Sequence, residues 1–305
     1  MSPRPAGPYP NLCPQTIGVN GLTPEALLDL AANSGFEGVD LPIDGVRDLD
    51  HAARLRDAAR ERGLRWGLFA LPCDFPTADD NDYANGLSWL REKLPLVQTA
   101  GSTRTYNHVW PGSDARPYDA QFEYTAERLR PVAALLEEHG VRYGLEFIGP
   151  KHLRDDHRYP FIHRAEQMAQ LVQAVGHASG LVIDFFHWYT SGDKAESLRV
   201  AINAVGGGRG VVNVHANDAP AGLAPDQQHD GRREMPLATG VIDAADAFRT
   251  LIETGYEGPV ICEPFQPSLK RLGAMPPPLA AAEALRVLRL LLPKARASGG
   301  GSATC

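Results

Sequence analysis

The sequence predicts an α/β chain folded as one (β/α)8 barrel, a TIM barrel in a single domain. Three observations carry that expectation. Short apolar runs alternate with longer amphipathic stretches from end to end. Eight runs of each kind can be traced. A length of 305 residues suits eight strand–helix units with long loops.

The apolar runs fall at 11–20, 38–43, 64–71, 104–110, 142–148, 181–186, 210–216 and 259–264. Helical patterns lie at 24–34, 49–62, 81–100, 118–139, 164–175, 195–205, 244–254 and 278–292. Thr23 is placed to cap the first helix, with Pro24 at its first position. Gly63 closes the second. Strand followed by helix, repeated, means parallel strands joined by right-handed crossovers. Such strands are covered on both faces and are nearly all apolar, as in Gly210-Val-Val-Asn-Val-His215 and Pro259-Val-Ile-Cys-Glu263. An open doubly wound sheet would call for G-x-G-x-x-G after an early strand, and the chain has none. Gly206-Gly207-Gly208 precedes a strand and reads as a loop. The expected division is an N-terminal extension over 1–10, the barrel over 11–296 and a flexible tail over 297–305.

Composition narrows the class. A net charge of -7 disfavours a nucleic-acid partner. No run of eighteen apolar residues exists, so no membrane span is expected. The opening MSPRPAGPYP lacks the apolar stretch of a signal peptide. Cys13, Cys73, Cys262 and Cys305 show no paired spacing and read as free thiols. The expected location is the cytoplasm.

In a barrel of this kind the chemistry sits at the C-terminal ends of the strands. The fifth run ends in Glu146, the sixth in Asp184 with His187 three residues on, the seventh in His215, the eighth in Glu263. Taken singly, Asp184 could cap the following helix and His215 could be a hydrogen-bonded core histidine. Taken together, three carboxylates and an imidazole converging on one barrel mouth are costly unless a cation sits among them. The donor set suits Mn²⁺, Co²⁺, Mg²⁺ or Zn²⁺ alike; Mn²⁺ is the ion expected.

At these residues the chain resembles the xylose-isomerase-like sugar isomerase/epimerase superfamily, over about 11–292. The segments that carry the resemblance are Gly144-Leu-Glu-Phe-Ile-Gly-Pro150, Ile183-Asp-Phe-Phe-His187, Val214-His-Ala-Asn-Asp-Ala-Pro220, Gly240-Val-Ile-Asp243 and Cys262-Glu-Pro-Phe265. In ligand pattern it is most similar to the ketose 3-epimerases. The resemblance implies Glu146, Asp184, His215 and Glu263 as ligands of one divalent ion. It further implies Glu146 and Glu263 as the groups that exchange protons with substrate, and His187 as a substrate contact. An arginine after the seventh strand also touches substrate in that family. Arg232 and Arg233 are the nearest residues, in a longer loop, and Arg232 is taken as the candidate.

The expected reaction is metal-dependent isomerisation or epimerisation of a keto-sugar or related polyol, through an enediolate stabilised by the metal. A lyase that dehydrates a keto-polyol or a 3-keto sugar would use the same ligands. Loops must choose between them. His108 and Trp110 after the fourth strand, Lys151 after the fifth and Trp188 after His187 are the further substrate-binding candidates. The stretch 226–233 reads as a lid. An apurinic-endonuclease-like repair enzyme is the remote alternative. It would need further metal ligands, and here His229 and Asp230 stand adjacent and reversed. The expected partner is a small sugar or polyol, with no nucleic acid and no membrane, and a homo-oligomer fits the resemblance.

Overall fold

The computed structural model describes residues 7–292. Eight parallel strands form one curled sheet. They are β1 Tyr9–Leu12, β2 Gly38–Val39, β3 Arg65–Trp66, β4 Arg104–Val109, β5 Arg142–Phe147, β6 Ser179–Asp184, β7 Val211–Ala216 and β8 Pro259–Cys262. Their order runs β3-β2-β1-β8-β7-β6-β5-β4. The ring closes between β3 and β4, the two ends of that order. Leu68 bridges Arg104 in parallel, and the Phe69 N–H donates to the Arg104 carbonyl at 3.2 Å.

The outer layer is α1 Pro24–Ser34, α2 Leu49–Glu61, α3 Asp80–Ala100, α4 Tyr118–Glu138, α5 Ala165–Val175, α6 Ala195–Ala204, α7 Ala244–Glu253 and α8 Pro277–Leu291. The start of α1 follows the sequence signal: Thr23 Oγ1 accepts from the Ala26 N–H at 3.2 Å, and Pro24 opens the helix. Each of the eight helical patterns is within two residues of an observed helix at both ends. Residues 1–6 and 293–305 lie outside the described residues, and with them the tail over 297–305 and Cys305. The first strand starts at Tyr9, so the barrel begins two residues inside the stretch expected as extension.

The early strands are shorter than their apolar runs. The run 11–20 pairs only as far as Leu12 and then turns through a 3₁₀ segment, Gln15–Ile17, which ends on Gly18 at φ 75°. Past β2 a side chain takes over from the ladder: Asp40 Oδ1 accepts the Leu68 N–H at 2.9 Å and the Asn11 amide at 2.7 Å.

Side chains alternate along the later strands. On β5, Tyr143, Leu145 and Phe147 are fully buried against the helices. Gly144 and Glu146 face the barrel interior. A Cβ on Gly144 would lie 2.6 Å from Val182 Cγ2 and 3.0 Å from Tyr106 Cβ, so glycine makes room there for Tyr106. The ladder then sets neighbours at the mouth: His108 opposite Glu146, and Asp184 opposite His215.

Candidate active site

The four strand-end residues meet. One ligand atom from each of Glu146, Asp184, His215 and Glu263 lies within 4.8 Å of the others, and all four residues are buried. Parallel register produces this, because each residue closes its strand at the same end of the barrel.

His215 Nδ1 is the centre of the group. It stands 3.2 Å from Glu146 Oε1, 3.4 Å from Glu263 Oε1 and 3.8 Å from Asp184 Oδ2. It makes a hydrogen bond to none of them, and both of its ring nitrogens are buried without a partner. Glu146 Oε2 is likewise buried and unbonded. These groups crowd one point at the barrel mouth. Leaving such atoms unpaired in a protein interior is costly, and three oxygens with one imidazole nitrogen are a donor set that fits a divalent ion.

Asp184 has two duties. Its Oδ1 caps the short helix Phe185–Thr190, accepting the His187 N–H at 2.9 Å. Its Oδ2 faces the site, where it accepts from Asn217 Nδ2 at 3.0 Å and Arg233 Nη1 at 2.9 Å.

Of the two adjacent arginines, Arg233 turns into the site and Arg232 does not. Arg232 is exposed on the surface, whereas the Arg233 side chain is 3% exposed. Arg233 Nη1 donates to Asp184 Oδ2 and to Glu263 Oε2 at 2.7 Å, and Nη2 donates to Asp230 Oδ1 at 2.7 Å. Phe265 and Phe186 lie against its guanidinium, at 4.1 and 5.1 Å to the ring centres. Two adjacent residues in a strand point opposite ways. Arg232–Arg233 is a short strand paired with Gln266–Pro267, so one arginine turns in and the other out.

His187 is buried, and its Nδ1 accepts the Gly149 N–H at 3.3 Å. Nε2 lies 3.9 Å from Glu146 Oε1, and Arg233 Nη2, which can only donate, points at it from 3.1 Å. His108 Nε2 approaches Glu146 Oε2 at 3.4 Å, and its side chain is 41% exposed at the mouth. Tyr106, two residues earlier on β4, sets its ring edge-on to His215 at 5.1 Å.

Charge follows this geometry. Burial opposes ionisation of Asp184, but Arg233, His187 and His215 hold its carboxyl well below the ordinary range. Burial also works against a charged His215, yet Glu146 and Glu263 raise it well above its ordinary 6.5. Burial would lift Glu146, and His215 with His108 bring it down instead. Glu263 is raised, because burial and Asp184 outweigh His215 and Arg233.

The remaining candidates are placed differently. Trp110 stands at the rim, 38% exposed, its indole N–H donating to Asp74 Oδ2 at 2.8 Å. Trp188 is 6% exposed and belongs to the hydrophobic core, so it packs beneath the loops and does not floor a pocket. Lys151 is half-exposed and paired with Asp155 one turn on. His229 stacks on His152 at 4.2 Å and does not join the metal group. Cys13, Cys73 and Cys262 are free thiols. No helix among the described residues is long and apolar enough to cross a membrane.

Sequence reasoning missed Asn217 and Asp230 as parts of the site. Asn217 carried a signal, since 213, 215 and 217 share one face in a continued strand. Asp230 carried none, because it sits in a loop whose path the sequence leaves open. Asp218 is a buried carboxylate with a structural role, accepting four backbone N–H groups, from Ala219, Thr239, Gly240 and Ile242.

Comparison with known proteins is decided by one match: residues 28–291 fit the model of the xylose isomerase-like TIM barrel. The chain belongs to that family. An inosose isomerase of Bacillus velezensis is 31% identical over 154 residues, 49% of each chain. A 3-dehydroshikimate dehydratase of Pseudomonas putida is 28% identical over 282 residues, which is 90% of this chain and 41% of that one. The chain thus spans about half the length, or less, of these curated relatives. Among solved structures, a xylose isomerase domain protein of Alicyclobacillus acidocaldarius superposes with a TM-score of 0.75 at 29% identity, covering 93% of this chain and 98% of that one. An L-ribulose 3-epimerase superposes at 0.65 with 20% identity, covering 94% and 95%, and shares the fold. The curated relatives are inosose isomerases and a dehydratase, and the four buried residues could hold a metal ion.

Proposed function

We propose that this family member is a divalent-metal-dependent isomerase or epimerase of a keto-sugar or related polyol. The observation that carries the reading is the convergence of Glu146, Asp184, His215 and Glu263, with His215 Nδ1 and Glu146 Oε2 left unbonded inside it. A divalent ion held there would polarise a substrate carbonyl and acidify the neighbouring C–H.

The chain's own groups divide the remaining work. Each glutamate turns Oε1 toward His215 and keeps Oε2 for a second role. Glu146 Oε2 is unbonded and is the atom that takes the proton from carbon. His108, 3.4 Å from that atom, faces the carboxyl that has to pass the proton on. Glu263 Oε2 is held by Arg233, which fixes the second carboxyl while it returns a proton from its own side. His187, held between the Gly149 N–H and Arg233 Nη2 with Nε2 3.9 Å from Glu146 Oε1, is placed to meet a substrate oxygen beside the metal site. Returning the proton to the same carbon from the other face gives an epimer; returning it to the adjacent carbon gives an isomer. The reading carries Mn²⁺ as the ion, the cytoplasm as the location and a homo-oligomer as the assembly.

Elimination of a β-hydroxyl from the same enediolate is the second reading. It is favoured by the dehydratase likeness, which runs over 90% of this chain. Incubating metal-loaded protein with candidate ketoses and 3-keto polyols in deuterated water separates the two. Epimerisation or isomerisation leaves deuterium on carbon in recovered sugar. Elimination gives an enone absorbance, and seeing only that would replace the first reading by the second.

A further inference from the structure

The opposite end of the barrel holds charge that this chemistry does not use. β4 and β5 begin side by side with Arg104 and Arg142, which are partners in the ladder. Like charges in that position repel. Both lie on the strand faces that carry His108 and Glu146 four residues later, so both turn toward the barrel axis at its lower end.

Neither has a counter-ion among the described residues. The Arg104 side chain makes no hydrogen bond or ion pair there, and its Nε is buried. Arg142 Nη2 donates to the carbonyls of Arg209 and of Val211, the latter at 3.0 Å. These bonds orient the guanidinium without neutralising it. Burial, with the neighbouring charge of Arg104, pushes Arg142 down to about 10. A third guanidinium, that of Arg65, stacks over Tyr9 at 3.5 Å and pairs with Glu37. Arg65 is thus compensated, whereas Arg104 and Arg142, placed together, are costly unless an anion joins them.

Space for one exists. A cavity of about 600 Å³ is lined by Arg104 and Arg142 together with Gly208, Arg209 and Glu257. Glu257 is exposed and forms no ion pair with either arginine. Gly208 lets the chain pass close beneath: a Cβ there would lie 2.1 Å from the Tyr256 nitrogen.

We propose that the N-terminal end of the barrel is a second binding site, in which Arg104 and Arg142 clamp a small oxyanion, a phosphate or carboxylate group. Guanidinium forks match both kinds of oxygen pair, and charge-assisted bonds to them are the strong ones. The four-residue spacing from Arg104 to His108 puts this site roughly 13 Å below the catalytic mouth, so it is separate from the substrate site.

The test uses the full chain loaded with its divalent ion, titrated with sulfate and, separately, with succinate, against chloride at matched ionic strength. Thermal melting should rise saturably, and the probe that acts at lower concentration tells phosphate-like from carboxylate ligands. R104M should raise the half-saturating concentration at least about tenfold and leave turnover unchanged. R104K keeps the charge without the fork and should weaken the response while folding normally. R233M should respond to sulfate as the wild type does. Without either probe, R104M should melt no lower than the wild type, since it removes an unpaired cation. The proposal falls if the wild type shows no saturable rise over chloride, if R104M titrates like the wild type, or if the response disappears in R233M instead.

Discussion

Replacing Arg233 by methionine tests the buried charge network directly. The guanidinium is 3% exposed and touches Asp184, Glu263 and Asp230 at 2.7–2.9 Å. Methionine fills similar space and removes the charge, leaving carboxylates buried without their partner. Breaking a buried pair from one side costs about 3–5 kcal/mol. Solvent screening does not reduce this, because both Asp184 and Arg233 are buried. With an unfolding entropy of about 2.1 cal/mol/K per residue over 305 residues, the metal-free variant should melt about 5–8 °C lower. Divalent metal should bind R233M more tightly than wild type, since the competing cation is gone, and should recover part of that loss. R232M is the internal control. Its side chain is exposed, so the change should stay within about 0.5 kcal/mol. Thermal melting with and without metal, and calorimetric titration of the metal, read all of these. A metal-free R233M that melts with the wild type, or an R232M that loses turnover, would refute the assignment.

Other expectations follow from the same geometry. Glu146→Gln keeps the shape but removes the base whose Oε2 is unbonded. Turnover should fall about 10²–10⁴-fold, and deuterium exchange should stop in protein shown to hold its metal; retained exchange would take Glu146 out of the proton transfer. His215 is raised above 6.5 in the metal-free protein, so its contribution to stability is complete below that value and is lost as pH rises through the raised value. Metal must displace that proton. Metal affinity should therefore climb with pH, the melting gap between loaded and metal-free protein should widen, and titration in two buffers at pH 7 should show about one proton released. Affinity that does not vary with pH would contradict this. Gly149→Ala puts a Cβ 2.1 Å from the His187 carbonyl and 2.6 Å from Thr190 Oγ1. The backbone must move, at a cost of about 1–3 kcal/mol in denaturant unfolding, and KM should rise as His187 loses its Gly149 contact; wild-type stability would mean the close approach is not real.

The four-residue cluster was legible because two regularities coincide. Apolar runs mark parallel strands, and a polar residue ending such a run must sit at the barrel mouth, so Glu146, Asp184, His215 and Glu263 could be grouped without knowing any loop. His187 follows from the cap: a helix starting on Asp184 returns its third residue to the site. Arg233 could not be separated from its neighbour in this way. Its inward direction is set by pairing with Gln266–Pro267, a contact between loops far apart in sequence. The surroundings of Lys151 and Trp188 were not legible for related reasons. A basic residue beside the mouth has a competing acidic neighbour one helical turn away, and an aromatic next to a site histidine can turn into the core. The long first run, 11–20, misled because apolar pattern does not distinguish a strand from the 3₁₀ turn that buries Ile17.

Elemental analysis of the purified chain, before and after chelation and with turnover measured alongside, bears most directly on the four-ligand centre. One divalent ion per chain should be found, lost with activity on chelation, restored with it on adding Mn²⁺, and absent from a His215→Ala variant that still folds. Full activity in protein containing no metal, or a His215→Ala variant that retains a full equivalent of ion, would contradict the account.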